Sequence, residues 1–304
     1  MPTEDVSARF VDLDEWPTLD AVEAMYEGQL SAVAAVRPAL ASIARAVDDA
    51  AHGLRRGGRL VYAGAGTSGR VAVQDGAELP PTFDWPLDQL VFAMAGGPKA
   101  LMRSAEGAED DEADAAAKVE AAGIGADDVV IGLAASGATP YTVEFVRRST
   151  ARGAVTLGVA NNPAAPLLAV ARHPILIETG AEVLAGSTRM KAGTAQKVAL
   201  NLFSTAVMIR LGRVYRGMMV HMQASNAKLH RRAESMVALI TGCDEAAAAE
   251  ALRQVDWDVK RAALVVNGMD PDTAGVLIDR HGGSLRRALA ALEGADRASG
   301  AAGG

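Results

Sequence analysis

The stretch "YAGAGTSGRVAV", residues 62–73, decides the fold. It continues an apolar run, "RLVYAG" (59–64), that suits a buried strand, and it opens a stretch competent for helix. Its G-A-G-T-S-G centre matches the G-x-G-x-x-G pattern letter for letter. A dinucleotide fold uses such glycines to bring the backbone onto a pyrophosphate. It also places an acidic residue about 20 positions on, at the end of the next strand. Counting from Gly64 reaches Asp84 and Asp88, but both precede the next apolar run, "LVFAMAG" (90–96), instead of closing it. The spacing disfavours a dinucleotide. A single phosphate asks for less: free N–H groups and the positive end of a helix dipole, with hydroxyl donors beside them. Thr67 and Ser68 stand where that helix begins.

Working outward, the strand-then-helix alternation recurs. "DVVIGLAASG" (128–137), "AVTLGVANN" (154–162) and "HPILIETG" (173–180) read as further strands. Helical segments lie between them, so the chain is α/β with a mainly parallel sheet. The turn after the third strand repeats the chemistry of the first, with Ser136 and Thr139 at its helix start. In open α/β sheets ligands sit beyond the carboxyl ends of the strands. One Ser/Thr turn is as well explained by helix capping; two parallel turns favour a site for one compact phosphate monoester. Residues 1–56 read as a helical segment packing on the core, with Pro38 as a break, and 57–240 as the phosphate-binding domain. Residues 241–295 read as a small helical subdomain without strands, and 296–304 as a disordered tail. The pair Pro80–Pro81 is expected to end the helix that follows the opening loop.

Composition narrows the classes. Half of the 304 residues are hydrophobic, enough for a sizeable core, and the formal charge of −7 carries no basic stripe for a nucleic acid. The lone Cys243 excludes a disulfide within the chain and a cysteine-rich zinc site. The first residues are acidic and lack an apolar leader, and no unbroken run of about 18 apolar residues occurs, so a cytoplasmic protein with no membrane span is expected.

"YAGAGTSGR" with "ASGATPY" resembles the sugar isomerase (SIS) domain, which binds phosphosugars. Three further stretches, "AELPPTF" (77–83), "AEGAED" (105–110) and "AGSTRMKAGTAQKVALN" (185–201), together resemble the N-acetylmuramic acid 6-phosphate etherase family. The likeness runs from about residue 57 to about 292. It implies a three-layer αβα sandwich and cleavage of the D-lactyl ether of N-acetylmuramic acid 6-phosphate, giving N-acetylglucosamine 6-phosphate and D-lactate in cell-wall sugar recycling. It also implies a cytoplasmic homodimer needing no metal or cofactor.

The resemblance carries two catalytic glutamates onto Glu78, before Pro-Pro, and Glu109, the last Glu of "EGAED". Glu78 is assigned as the acid that protonates lactate, and Glu109 as the base at C2 or the group handling the added water; Glu106 is the reserve. Thr67, Ser68, Ser136 and Thr139 would hold the phosphate. Ser187, Arg189 and Lys191 would line or support the cleft, and His230 would approach the sugar. Four positions depart from the family pattern: Ala77 replaces Ser, Ala138 replaces Arg, His221 stands where an acid is usual, and the N-terminal feature keeps Thr3 and Glu4 but lacks its Asn. Two other readings share the fold: a non-catalytic phosphosugar-binding regulator resembling the glucokinase regulatory protein, against which the retained glutamates speak, and an aldose–ketose isomerase, against which the "STRMKAGTAQK" run speaks.

Overall fold

Five apolar runs become five short parallel strands in the computed structural model, which describes residues 2–103 and 105–301. They are β1 (Leu60–Gly64), β2 (Leu90–Met94), β3 (Val129–Leu133), β4 (Val155–Ala160) and β5 (His173–Leu176), in the order β2-β1-β3-β4-β5. Every residue of β1, β3 and β4 is buried, which is why these strands read as continuous apolar runs and not as alternations. The helices are α1 (Thr18–Ala34), α2 (Leu40–Leu54), α3 (Gly66–Ala77), α4 (Leu79–Phe83), α5 (Glu112–Ala121), α6 (Pro140–Ala151), α7 (Pro166–Val170) and α8 (Lys191–Arg210). A second series follows: α9 (Ala227–Thr241), α10 (Glu245–Gln254), α11 (Val259–Val266), α12 (Pro271–Arg280) and α13 (Leu285–Ala301).

The chain divides into two compact units. The first comprises Met1–Ala77 with Leu87–Val207, the second Glu78–Pro86 with Met208–Gly304.

The first unit holds the sheet between two helical layers. On one face Val61, Ala63 and Val130 pack against Ala115 and Val119 of α5 and Tyr141, Phe145 and Val146 of α6. The alternate residues point to the other face, where α2 meets β4 and β5. The stretch Thr18–Leu54 is apolar enough on average to cross a membrane by length and composition. It is interrupted at Arg37–Ala39, and α2 buries Ile43, Ala46, Val47, Ala50 and Leu54 within the unit. The apolarity of α2 serves the core, whereas α1 buries only Ala24 and Ala32.

Tyr62 points to that second face, and its buried phenol needs an acceptor. Asp75 of α3 supplies it: Tyr62 Oη donates to Asp75 Oδ2 at 2.9 Å, and Asn201 Nδ2 and Ser204 Oγ of α8 donate to Oδ1 at 2.9 and 3.2 Å. One carboxylate thus fastens β1, α3 and α8. Burial raises the Asp75 pKa, against the opposing pull of those three donors.

The second unit is helical. Asn226, Asp244, Asp258 and Asp270 each accept backbone N–H groups from the first turn of α9, α10, α11 and α12, so the starts of these short helices are written into the sequence as caps. Their apolar faces meet in a cluster that includes Met236, Val237, Leu252, Leu264, Ile278 and Leu285. Helix α13 continues to Ala301, past the 295 boundary read from composition; residues 302–304 lie outside the described residues. Helix α3 stops at Ala77, but the Pro-Pro pair does not end the helical path. It sits in the first turn of α4, where proline's missing N–H would be unpaired in any case.

Replacing Asp75 by Ala should strand two buried hydroxyl donors, those of Tyr62 and Ser204, and cost about 2 kcal/mol or more of stability in urea or thermal unfolding, while Asp75→Asn should cost far less. The raised pKa fixes the sign with pH. Folding favours protonated Asp75, so its contribution is greatest below the unfolded carboxylate range near about 4 and declines as pH rises through the raised folded value. Relative to the parent, Asp75→Asn should therefore gain stability as pH rises through that window.

Candidate functional site

The strand order reverses between β1 and β3, and a crevice opens at such a switch point beyond the strand ends. The two Ser/Thr turns flank it. The first runs from Gly64 into α3, with Gly66 at φ +53°, a left-handed conformation that suits glycine. A side chain at Gly69 would bring its Cβ within 2.8 Å of the Gly64 carbonyl oxygen, so α3 can start this close to β1 only with glycine there. Among the described residues no acidic group closes β2, which runs into Ala95 and Gly96, so the ribose partner of a dinucleotide site is missing.

A cavity of about 290 Å³ lies within the first unit at this crevice. Thr67 and Ser68 from the β1 turn and Ser136 and Thr139 from the β3 turn all line it. Thr139 occupies the N-cap position of α6, yet its side chain makes no capping hydrogen bond, which leaves the hydroxyl for a ligand. Ser136 Oγ accepts the Ala138 N–H at 3.1 Å and keeps its own proton to donate. The first turns of α3 and α6 thus present N–H groups, helix dipoles and hydroxyls to one space, the arrangement that suits an oxyanion.

Glu109 also lines this cavity, at its border with a second one of about 240 Å³ that shares Ala65 and Gly66. Glu106 lines that second cavity and not the first. Arg70 borders it as well, but its guanidinium donates to the Ala100 and Leu101 carbonyls and clamps that loop to α3. Two residues outside the sequence-predicted set complete the wall: Thr188, next to the predicted Ser187, and Glu4. The lining of the Ser/Thr cavity contains two carboxylates and no basic side chain.

The other predicted residues lie elsewhere. Ser187 donates its backbone N–H to Leu184 and does not line the cavity. Lys191 begins α8. Its N–H and that of Ala192 donate to the buried Glu182 carboxylate, and its amine donates to the Ala181 carbonyl at 2.8 Å. Its side chain lines a different cavity, with Arg9, Phe10 and Glu27. Burial lowers its pKa, with Glu182 opposing. Arg189 is exposed.

In the second unit Glu78 is the first residue, exposed, immediately before α4. His230 stacks face to face on Trp257, 3.7 Å between ring centroids at 8°. His221 lines a cavity of about 340 Å³ with Asp84, Gln223 and Trp257. Burial, then the nearby charges of Lys260 and Arg213, push its pKa down to about 3, so the imidazole is neutral near pH 7. Among the described residues no group of three or more His, Cys, Asp or Glu is placed to hold a metal.

The family models that match are the glucokinase regulatory protein N-terminal SIS domain, over residues 42–148, and the SIS domain, over residues 106–206. Relatives similar over nearly the whole chain are the N-acetylmuramic acid 6-phosphate etherases of Deinococcus radiodurans (47% identical, covering 94% of each chain) and Streptomyces avermitilis (46%, covering 96% of this chain and 94% of that one). The same enzyme of Erwinia tasmaniensis is 46% identical over 92% of each. Among solved structures, a candidate phosphosugar isomerase involved in capsule formation from Bacteroides fragilis superposes with a TM-score of 0.51 at 19% identity, covering 66% of this chain and 95% of that one. That likeness is one of fold.

Removing one hydroxyl from the cavity, by Ser68→Ala or Thr139→Val, should weaken binding of a phosphate monoester about tenfold or more, the scale of a hydrogen bond to a charged group. Titration calorimetry checks this, and thermal unfolding should be nearly unchanged for Thr139→Val, whose hydroxyl makes no cap.

Proposed function

The chain belongs to the N-acetylmuramic acid 6-phosphate etherase family, and we propose that the Ser/Thr-lined cavity of its first unit receives the 6-phosphate of that sugar. The protein is a carbon–oxygen lyase that cleaves the D-lactyl ether of N-acetylmuramic acid 6-phosphate. The observation that carries the site is the convergence of Thr67, Ser68, Ser136 and Thr139 on one cavity that Glu109 also borders.

The chemistry explains why two carboxyl groups suffice. An ether bond is inert to direct attack by a side chain. Opening of the sugar ring exposes an aldehyde at C1, which acidifies the hydrogen at C2 and places the lactyl oxygen on C3 in the β position. A base takes the C2 proton, the C2–H electrons form the C2–C3 double bond, and the C3–O bond breaks. An acid gives its proton to the departing lactate oxygen, and water then adds across the double bond, returning a proton to C2 and a hydroxyl to C3. No step needs an electron carrier, and the two groups need opposite protonation states.

Glu109 is assigned the proton at C2 or the added water. What supports it is its place at the edge of the phosphate cavity. Glu78 is assigned as the acid for the lactate oxygen. Its support is the "ELPPT" motif, in which the break after α3 and the Pro-Pro start of α4 hold it at a defined turn. Of the carried-over residues, Ser187 and Lys191 are assigned supporting roles: Lys191 braces the start of α8 against Ala181 and Glu182. The non-catalytic regulator reading is not favoured, since relatives matching nearly the whole chain carry the enzyme's name.

The test is incubation with N-acetylmuramic acid 6-phosphate and detection of D-lactate. Glu78→Gln and Glu109→Gln should each lower kcat by about a hundredfold or more, the scale of one general acid–base group. Full activity in both variants would reject the pair.

The same reading makes the enzyme a cytoplasmic homodimer. Support for the dimer comes from α1, whose Leu19, Val22, Tyr26, Leu30 and Val33 recur at helical spacing and remain 47–66% exposed. An apolar stripe of this kind on an isolated chain fits a self-complementary interface. Exchanging Leu19 and Tyr26 for Glu and Lys should convert a dimer into a monomer by light scattering; an unchanged mass would remove α1 from the interface.

A further inference from the structure

Glu4 enters the phosphate cavity from the far end of the sequence, and the structure shows how it is held there. Pro2–Glu4 forms a single 3₁₀ turn whose Thr3 is completely buried. The Thr3 N–H donates to Asn162 Oδ1 at 3.3 Å, and Asn162 Nδ2 donates back to Thr3 Oγ1 at 3.0 Å. The same Nδ2 donates to the Ala135 carbonyl at 2.9 Å, in the turn that carries Ser136. From the other side Gly186 donates its N–H to the Thr3 carbonyl at 3.1 Å. Gly186 has φ +73°, and a Cβ there would stand 2.9 Å from the Glu4 carboxylate. The N-terminal turn is therefore a strap tied to the β3 turn and to the loop that supplies Thr188. A substituent at 186 would displace the one side chain the strap delivers.

A carboxylate is an acceptor only. It repels a phosphate dianion, and in a cavity whose lining holds no basic side chain that repulsion is uncompensated. What an acceptor beside an oxyanion site can hold is a donor on the body of the same ligand. We propose that Glu4 is a substrate-orienting residue that accepts a hydrogen bond from a sugar hydroxyl, so that the strap sets which end of the phosphosugar faces the Ser/Thr turns. The inference rests on the reading of that cavity as the substrate site. The phosphate lies against Thr67, Ser68, Ser136 and Thr139, and the sugar lies toward the two carboxylates. Glu4 fixes the sugar's rotation about the phosphate; Glu109 is left to act on it.

Binding of two probes to the parent and to Glu4→Gln separates this role from a structural one. N-acetylglucosamine 6-phosphate should bind the variant about tenfold more weakly, the loss of a hydrogen bond to a charged acceptor. Inorganic phosphate should bind equally well or a few times more tightly, because a neighbouring negative charge has gone. Opposite responses support the proposal. Equal weakening of both probes would mean that the change loosens the strap, and no change in either would mean that Glu4 does not meet the ligand; each overturns it. A parent protein that binds N-acetylglucosamine 6-phosphate but releases no D-lactate from N-acetylmuramic acid 6-phosphate would sink the etherase reading and leave the two-probe result standing.

Discussion

How closely α3 can approach the end of β1 governs the site. Gly69 sits against the Gly64 carbonyl at a distance no side chain would tolerate. The Asp75 carboxylate, one face further along α3, draws the helix down onto Tyr62 and α8. With α3 fixed at both points, its first turn reaches the crevice between β1 and β3. A helix start held a little further out would leave Thr67 and Ser68 too distant to share one anion with the turn after β3. The packing therefore also sets the geometry of the proposed binding site, and burying a carboxylate that folding prefers to protonate is the energetic cost of it.

The electrostatics of the cavity follow from the same placement. An oxyanion there meets neutral donors, hydroxyls and the N-terminal ends of α3 and α6, in place of a lysine or arginine. Neutral donors bind a phosphate without a salt-bridged partner to be stripped of water first. They also leave the local field to the two carboxylates of the lining, Glu4 and Glu109. On the reading proposed for this cavity, a phosphosugar would be oriented by that field, with its most negative end against the turns and its donors against Glu4 and Glu109. An ordinary ion pair to the phosphate would bind it more tightly, but would also neutralise the field that distinguishes the two ends.

The fold was legible because the parallel strands are buried on both faces. Leu60–Gly64, Val129–Leu133 and Val155–Ala160 announce themselves as unbroken apolar runs. The four hydroxyls were legible for a related reason, since each stands at a strand-to-helix turn and the parallel topology brings such turns to one edge. The resemblance marked Thr3 and Glu4 as retained, but the place of Glu4 at the cavity was not legible. Its position depends on hydrogen bonds between Thr3 and Asn162, 159 residues apart in sequence, and no local pattern reports a contact of that range. Pro80–Pro81 reads as a stop because proline breaks helix interiors; that it also opens helices becomes decisive only once a second helix is known to begin there.

Lys191 shows what a distinctive motif does and does not specify. The run "GSTRMKAGTAQK" has the look of a ligand loop, with three cations among three hydroxyl residues. In the structure its parts divide the labour of building a wall. Gly186 makes room for Glu4, and Thr188 faces the cavity. The N–H groups of Lys191 and Ala192 cap on Glu182, Gly193 lies 3.3 Å from Thr67 at its missing side chain, and Gln196 donates to Asn161. Such a segment is constrained at nearly every position, yet only one of these side chains faces the cavity. The sequence alone reports the density of constraint, not its direction. For Lys191 the direction is set by Glu182, a carboxylate buried nine residues earlier that orients the start of α8 and leaves the amine on the Ala181 carbonyl, at a cavity other than the Ser/Thr one.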